Sequence, residues 1–137
     1  MKLTDGDCGQ PAVSPDGRQI AFFQGDGYAT NPYRIVVIPF GGGPPEQTFL
    51  VPRDLAPLAA VRWTANGRGL TYSAQREGIS NVWTQSVGGG PPKQLTDFKV
   101  EGRFLFDWSP DGKQMVLTRR AWPSDLVLLS NFTPGKQ

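Results

Sequence analysis

The chain has 137 residues, the size of one ordinary domain, and its 38% apolar share with 17 Gly supports a packed core rather than wholesale disorder. The 17 Gly and 13 Pro make up about a fifth of the chain, against roughly 12% on average, which demands many turns and argues against a helix bundle. Fourteen basic and twelve acidic residues leave a net charge of +2, too mild to imply binding to nucleic acid or to an anionic membrane.

The opening Met1-Lys2-Leu3-Thr4-Asp5 leads into polar residues and carries no signal peptide. The expectation is a cytoplasmic chain, or one whose export signal lies outside this sequence. A first strand ends at Val13 and meets the turn Ser14-Pro15-Asp16-Gly17. A second strand covers Gln19–Phe23 and a third Tyr33–Ile38, followed by the turn Gly41-Gly42-Gly43-Pro44-Pro45. The order then returns. Trp63 precedes Thr64-Ala65-Asn66-Gly67, and strands over Gly69–Ser73 and Asn81–Val87 lead to Gly88-Gly89-Gly90-Pro91-Pro92 and a short fourth strand, Lys93–Thr96. A third pass has Trp108, Ser109-Pro110-Asp111-Gly112, Gln114–Thr118 and Asp125–Ser130. The Asp-Gly and Asn-Gly pairs suit tight turns, because Gly tolerates positive φ and Asp or Asn bonds its own backbone. β-branched and aromatic residues in alternation fit strands. The longest aliphatic runs, Ile35–Ile38 and Leu126–Leu129, are far too short to span a membrane.

The first signature recurs at spacings of 50 and 45 residues and the second at 47, so two independent motifs share one period. Three repeats fill the chain, at approximately 9–50, 58–97 and 103–137. Four short strands per unit, apolar on both faces, define an all-β fold of β-propeller blades: three four-stranded antiparallel repeats, each burying both faces against its neighbours. Lys2-Leu3-Thr4-Asp5 matches Gln94-Leu95-Thr96-Asp97, so residues 2–5 read as the last strand of a preceding blade. Closed propellers commonly need four to eight blades. A partial propeller is therefore expected, completed by blades of a longer chain or by a second copy in a homodimer.

Ser-Pro-Asp-Gly before a strand such as Gln-Ile-Ala-Phe, then Asn-Val-Trp, Gly-Gly and Gln-Leu-Thr, resembles the WD40-like Pro-Asp repeat of TolB-like β-propellers. Repeat two departs from it with Thr-Ala-Asn-Gly, yet keeps the turn Gly. The resemblance implies a bacterial scaffold for protein–protein interaction in a periplasmic or other extracytoplasmic compartment. Similar propellers serve as sensor regions of bacterial Ser/Thr kinases and winged-helix regulators, and as the non-catalytic lid of prolyl-oligopeptidase-like enzymes.

The absence of His excludes Ser-His-Asp and Cys-His catalysis within this chain, and one Cys, Cys8, allows neither an internal disulfide nor a CxxC zinc pair. The glycine triplets lack the Gly-Lys-Ser/Thr and helix of a Walker A loop, and Asp5-Gly6-Asp7 lacks the further oxygen ligands of a calcium loop. No cofactor, metal or catalytic residue is expected, so the chain is read as non-enzymatic. Asp16 and Asp111 are read as turn-formers, and Trp63, Trp83 and Trp108 as packing between blades. In a four-stranded meander the repeated turns share one end. The unrepeated stretches, 24–32, 75–79, 119–124 and the crossing 49–60, share the other. Binding usually resides in unrepeated loops on a rigid scaffold. Arg76, Arg119, Arg120 and Trp122 are the candidate partner-binding residues there, since Arg and Trp are enriched in hot spots. The rival readings are an accessory or sensor propeller of a larger kinase or peptidase, and a small-ligand or sugar sensor using the central channel.

Overall fold

The structure, a computed structural model, describes residues 1–25, 33–57, 61–99, 101–120 and 125–130; for residues 56, 57, 103, 119, 120 and 125 it describes the backbone alone. Among the described residues, twelve strands run in chain order. The first sheet is an antiparallel meander of β1 (Asp7–Val13), β2 (Gln19–Gly25), β3 (Arg34–Pro39) and β4 (Gln47–Leu50). In the second, β5 (Ala56–Pro57) and β6 (Arg62–Trp63) share the first position beside β7 (Gly69–Arg76), followed by β8 (Ile79–Ser86) and β9 (Lys93–Gln94). The third holds β10 (Arg103–Trp108), β11 (Gln114–Arg120) and β12 (Asp125–Ser130). Three antiparallel sheets in succession, without a helix among the described residues, are the expected blades.

One hydrogen-bonded turn, built three times, explains why each first strand stops at Val13, Trp63 and Trp108. The Ser14 hydroxyl donates to Asp16 Oδ1 at 2.6 Å and accepts from the Gln19 N–H at 3.0 Å, while Asp16 Oδ1 also accepts from the Arg18 N–H at 3.0 Å. Thr64 and Asn66 repeat this with Arg68 and Gly69, as do Ser109 and Asp111 with Lys113 and Gln114. Gly17, Gly67 and Gly112 close the turns at φ of 73°, 70° and 70°, a region open chiefly to Gly. Asn for Asp and Thr for Ser thus leave the geometry of repeat two intact.

The register shows equivalent rows. Ala12–Ala21–Val37, Arg62–Thr71–Thr84 and Asp107–Val116–Leu128 lie side by side in their respective sheets. One core cluster joins the first two blades, with Ala21, Phe23, Ile35 and Val37 against Trp63, Leu70, Tyr72 and Trp83. Phe23 meets Tyr72 edge-on, with centroids 5.7 Å apart, and burial pushes the Tyr72 phenol well above its ordinary range. A second cluster joins Val82 of blade two to Phe104, Phe106, Met115 and Leu117 of blade three. Polar contacts cross the same boundaries. Trp63 Nε1 donates to the Ala12 carbonyl at 2.9 Å, Trp108 Nε1 to Thr71 Oγ1 at 2.9 Å, and Ser73 Oγ to the Phe104 carbonyl at 3.2 Å. Trp63 and Trp108 therefore do lie between blades.

One detail differs from the expectation. The fourth strand of blade two is shorter than Lys93–Thr96, because Thr96 turns its hydroxyl to the Val82 N–H and to Asn81 Oδ1 instead of continuing the ladder. Ahead of β1, Lys2 Nζ pairs with Asp5 Oδ1 at 2.7 Å, and Thr4 Oγ1 donates to Cys8 Sγ at 3.5 Å. Residues 131–137 lie outside the described residues.

Candidate functional site

The two ends of the blades are chemically distinct. At one end sit the three turns and the glycine triplets, tied together by backbone bonds from Phe40 to Arg18 and, in repeat two, from Val87 to Arg68. Gly42 and Gly43, like Gly89 and Gly90, hold positive φ. The carboxyls of Asp16 and Asp111 lie below their ordinary range, first because a Ser hydroxyl donates to each and then because a backbone N–H does. A general acid at neutral pH needs the opposite shift. Both Asp residues serve the turn.

The opposite end is built from the β7–β8 hairpin and the crossings between blades. Arg76 and Ile79 close the hairpin around Glu77 at φ 51° and Gly78 at φ 82°, a two-residue turn whose positive angles match strand twist. Gln75 Nε2 braces the tip by donating to the Gly78 carbonyl at 2.8 Å. From the first crossing, turned by the Leu55 N–H to Pro52 carbonyl bond, Asp54 Oδ2 reaches Arg76 Nε at 2.7 Å. The guanidinium lies 4.7 Å over the Trp83 ring. Both charged groups remain open to water, so the ion pair is worth less than about 1 kcal/mol. Its larger effect is to hold a planar cation in one orientation at the rim. From the second crossing, Ile79 bridges Gly102 and the Ser80 hydroxyl donates to the Gly102 carbonyl. Asn81 clamps the approach to this crossing by accepting from the Phe98 N–H at 2.7 Å.

Of the four candidate residues, Arg76 stands at this end, on the hairpin. Arg119 and Arg120 close β11, whose backbone reaches the same end; their side chains, and all of Trp122, lie outside the described residues. Trp83, read as packing, is 7% exposed in the first core cluster and is also the platform for Arg76. Asp54 was not singled out in the sequence. Only the pairing of 56–57 with 74–75 brings it to Arg76, and no local signal announces that. Among the described residues no group of three His, Cys, Asp or Glu is placed to hold a metal ion.

Blade stacking, the meander and the triplicate turn are those of a β-propeller. No protein-family model matches the chain. It is 31% identical over 115 residues to the uncharacterized peptidase YuxL of Bacillus subtilis, covering 79% of this chain and 16% of that protein. To the Tol-Pal system protein TolB of Francisella tularensis it is 24% identical over 134 residues, covering 89% of this chain and 27% of that one. The chain thus spans roughly a sixth to a quarter of the length of these curated relatives. Among solved structures, a TolB from Agrobacterium tumefaciens described as putative superposes with a TM-score of 0.69 at 23% identity, over 93% of this chain and 46% of that chain. A chain from a study of two prolyl endopeptidases gives a TM-score of 0.64 at 22% identity, over 95% of this chain and 21% of that one. The fold is a TolB-like β-propeller fold, and the three sheets are blades of that kind.

Proposed function

We propose that the protein is a non-catalytic scaffold that presents the loop end of its blades to a protein partner. One observation carries this reading: the turn end is a triplicate of identical hydrogen bonds, whereas the loop end holds what differs, including an Arg76 fixed in place by Asp54 and Trp83. A cation already held in position loses little side-chain freedom on binding, which lowers the cost of association. The TolB relatives are named for a Tol-Pal system, so proteins of that system are the first partners to test. The peptidase relative supports a second reading, in which these blades are the accessory propeller of a hydrolase. This chain has no His, so a Ser-His-Asp centre would be supplied by sequence beyond it.

The experiment is a pull-down with the wild type and with a variant carrying Arg76→Ala, Arg119→Ala, Arg120→Ala and Trp122→Ala. A specifically retained protein is expected to be lost by the variant, with circular dichroism unchanged, because a hot-spot Arg or Trp typically contributes about 2 kcal/mol or more. Retention of the same protein at wild-type affinity would place the interface elsewhere. Hydrolysis of a peptide substrate by the chain alone, abolished by one point substitution, would overturn the non-catalytic reading.

A further inference from the structure

Arg76 is held by two groups and still keeps the end of its guanidinium open. Asp54 Oδ2 meets it at Nε, 2.7 Å away, and its central carbon lies 4.7 Å over the Trp83 ring. A guanidinium carries five N–H donors, four of them on the two terminal nitrogens. Among the described residues none of those four donates a hydrogen bond, and the side chain is 43% exposed. An ordinary surface Arg also has unused donors, but it must order a long stem before they can act together. Here the stem starts from a two-residue hairpin fixed by positive φ at Glu77 and Gly78 and braced by Gln75, and its tip is already held.

Two parallel N–H groups match two coplanar oxygens, which a carboxylate provides and a single carbonyl does not. The neighbouring charges choose among oxyanions. Asp54 lies against the guanidinium, Glu77 is the next residue, and Glu101 Oε1 lies 3.6 Å from where a Cβ on Gly78 would stand. A dianion such as phosphate would face three carboxyls for the sake of one guanidinium, whereas phosphate sites ordinarily gather backbone N–H groups or several cations. A carboxylate has half that charge and needs only the fork. We propose that the terminal edge of Arg76 reads a carboxylate of the protein partner, an Asp or Glu side chain or a C-terminus, with Asp54 and Trp83 as positioning residues. This names the partner's chemistry at one point and so rests on the scaffold reading. Asp54 offsets the charge of Arg76 at long range, so the fork selects the register of the bound partner and adds little to its approach. The same acids oppose an acidic run, which leaves a lone Asp or Glu among neutral or basic residues as the fitting segment.

The probe is a random peptide library displayed in two formats, one with a free C-terminus and one tethered at that end. Peptides are kept if the full chain retains them and its Arg76→Lys variant, which has the charge without the fork, does not, with circular dichroism unchanged. The survivors are expected to share one carboxylate without acidic neighbours. Enrichment of Asp or Glu in both formats assigns a side chain, and enrichment confined to the free-end format assigns a C-terminus. Replacing that carboxylate by its amide should weaken binding to the wild type about tenfold or more, the usual worth of a charge-assisted hydrogen bond. This replacement is made on the peptide, so it decides the matter even where the variant is misfolded. Survivors without a carboxylate, an amide peptide that binds as well as its parent, or the lack of any survivor overturns the proposal. So does release of the peptide by inorganic phosphate more readily than by acetate at equal ionic strength. Peptides that ignore Arg76→Lys yet are lost on Arg119→Ala with Arg120→Ala and Trp122→Ala would overturn it and leave the scaffold reading standing.

Discussion

Asp16, Asn66 and Asp111 do the same work with different charge, and that difference is measurable. Each accepts a Ser or Thr hydroxyl and a backbone N–H, so the amide oxygen of Asn66 substitutes for a carboxylate without loss of geometry. Thr64 brings a methyl group that Ser14 and Ser109 lack, and the residue following the turn compensates. A Cβ at Gly69 would stand 3.1 Å from Thr64 Cγ2, whereas Gln19 and Gln114 fill that position beside Ser. For the two acids, the folded-state values lie below the ordinary 3.8, so ionisation favours the folded turn. This contribution is complete above about pH 5 and is lost as pH falls through 3.8 towards the depressed folded values. The variant Asp16→Asn with Asp111→Asn should therefore lose less stability than wild type between about pH 5 and 3, followed by urea unfolding at each pH. Parallel pH curves for the two proteins would show that these carboxyls do not couple to folding.

Between elements, the turns of successive blades touch, and the cost of substituting their glycines should differ accordingly. A Cβ at Gly17 meets nothing within 4 Å, while one at Gly112 would lie 2.8 Å from the Ala65 Cβ of the neighbouring blade. Both sites share a left-handed φ, so Gly→Ala at either incurs about 1 kcal/mol of backbone strain. Gly112→Ala should cost at least about 1 kcal/mol more than Gly17→Ala, from overpacking, and Ala65→Gly should remove that excess when the two are combined. Equal thermal shifts for Gly17→Ala and Gly112→Ala would mean that the turns do not touch in solution. Such contacts mark the limit of what the sequence discloses. Strand ends at Val13, Trp63 and Trp108 were legible because a turn signal stands next to each, and Asp125–Ser130 was legible at both ends. The irregularity between Gly9 and Ala12, where Gln10 takes φ 55°, and the division of the next blade's first strand into β5 and β6 were not legible, because they arise from pairing across the sheet. Arg76 could be picked out by residue type. Its fixation by Asp54 and Trp83 could not, since one partner comes from a crossing and the other from the adjacent strand.

Across the whole molecule, stability is distributed unevenly among the blades. Among the described residues, the cluster between blades one and two joins twelve buried residues, including Tyr72, Trp63 and Trp83, and the cluster between blades two and three joins five. Blade three also leaves its far face open to water, so less apolar burial opposes its opening. In a repeat array each unit draws its stability from its own strands and from its neighbours' faces, and a unit packed on one side opens first. Amide hydrogen exchange should accordingly be faster in β10–β12 than in β2, β3, β7 and β8, with β10–β12 exchanging as a group through a sub-global opening. Weakening the second boundary separates the two cases. Phe104→Ala, at a residue 1% exposed, should accelerate exchange in β10–β12 and leave β2 and β3 unchanged. Tyr72→Ala, at the first boundary, should accelerate both blades one and two, because that side chain is shared between them. Each truncation removes on the order of 3–5 kcal/mol from its own interface, so the contrast lies well above the resolution of exchange rates. Uniform protection across all three sheets, or equal acceleration everywhere by Phe104→Ala, would show that the blades unfold as a single cooperative unit and that the smaller cluster is no weak boundary.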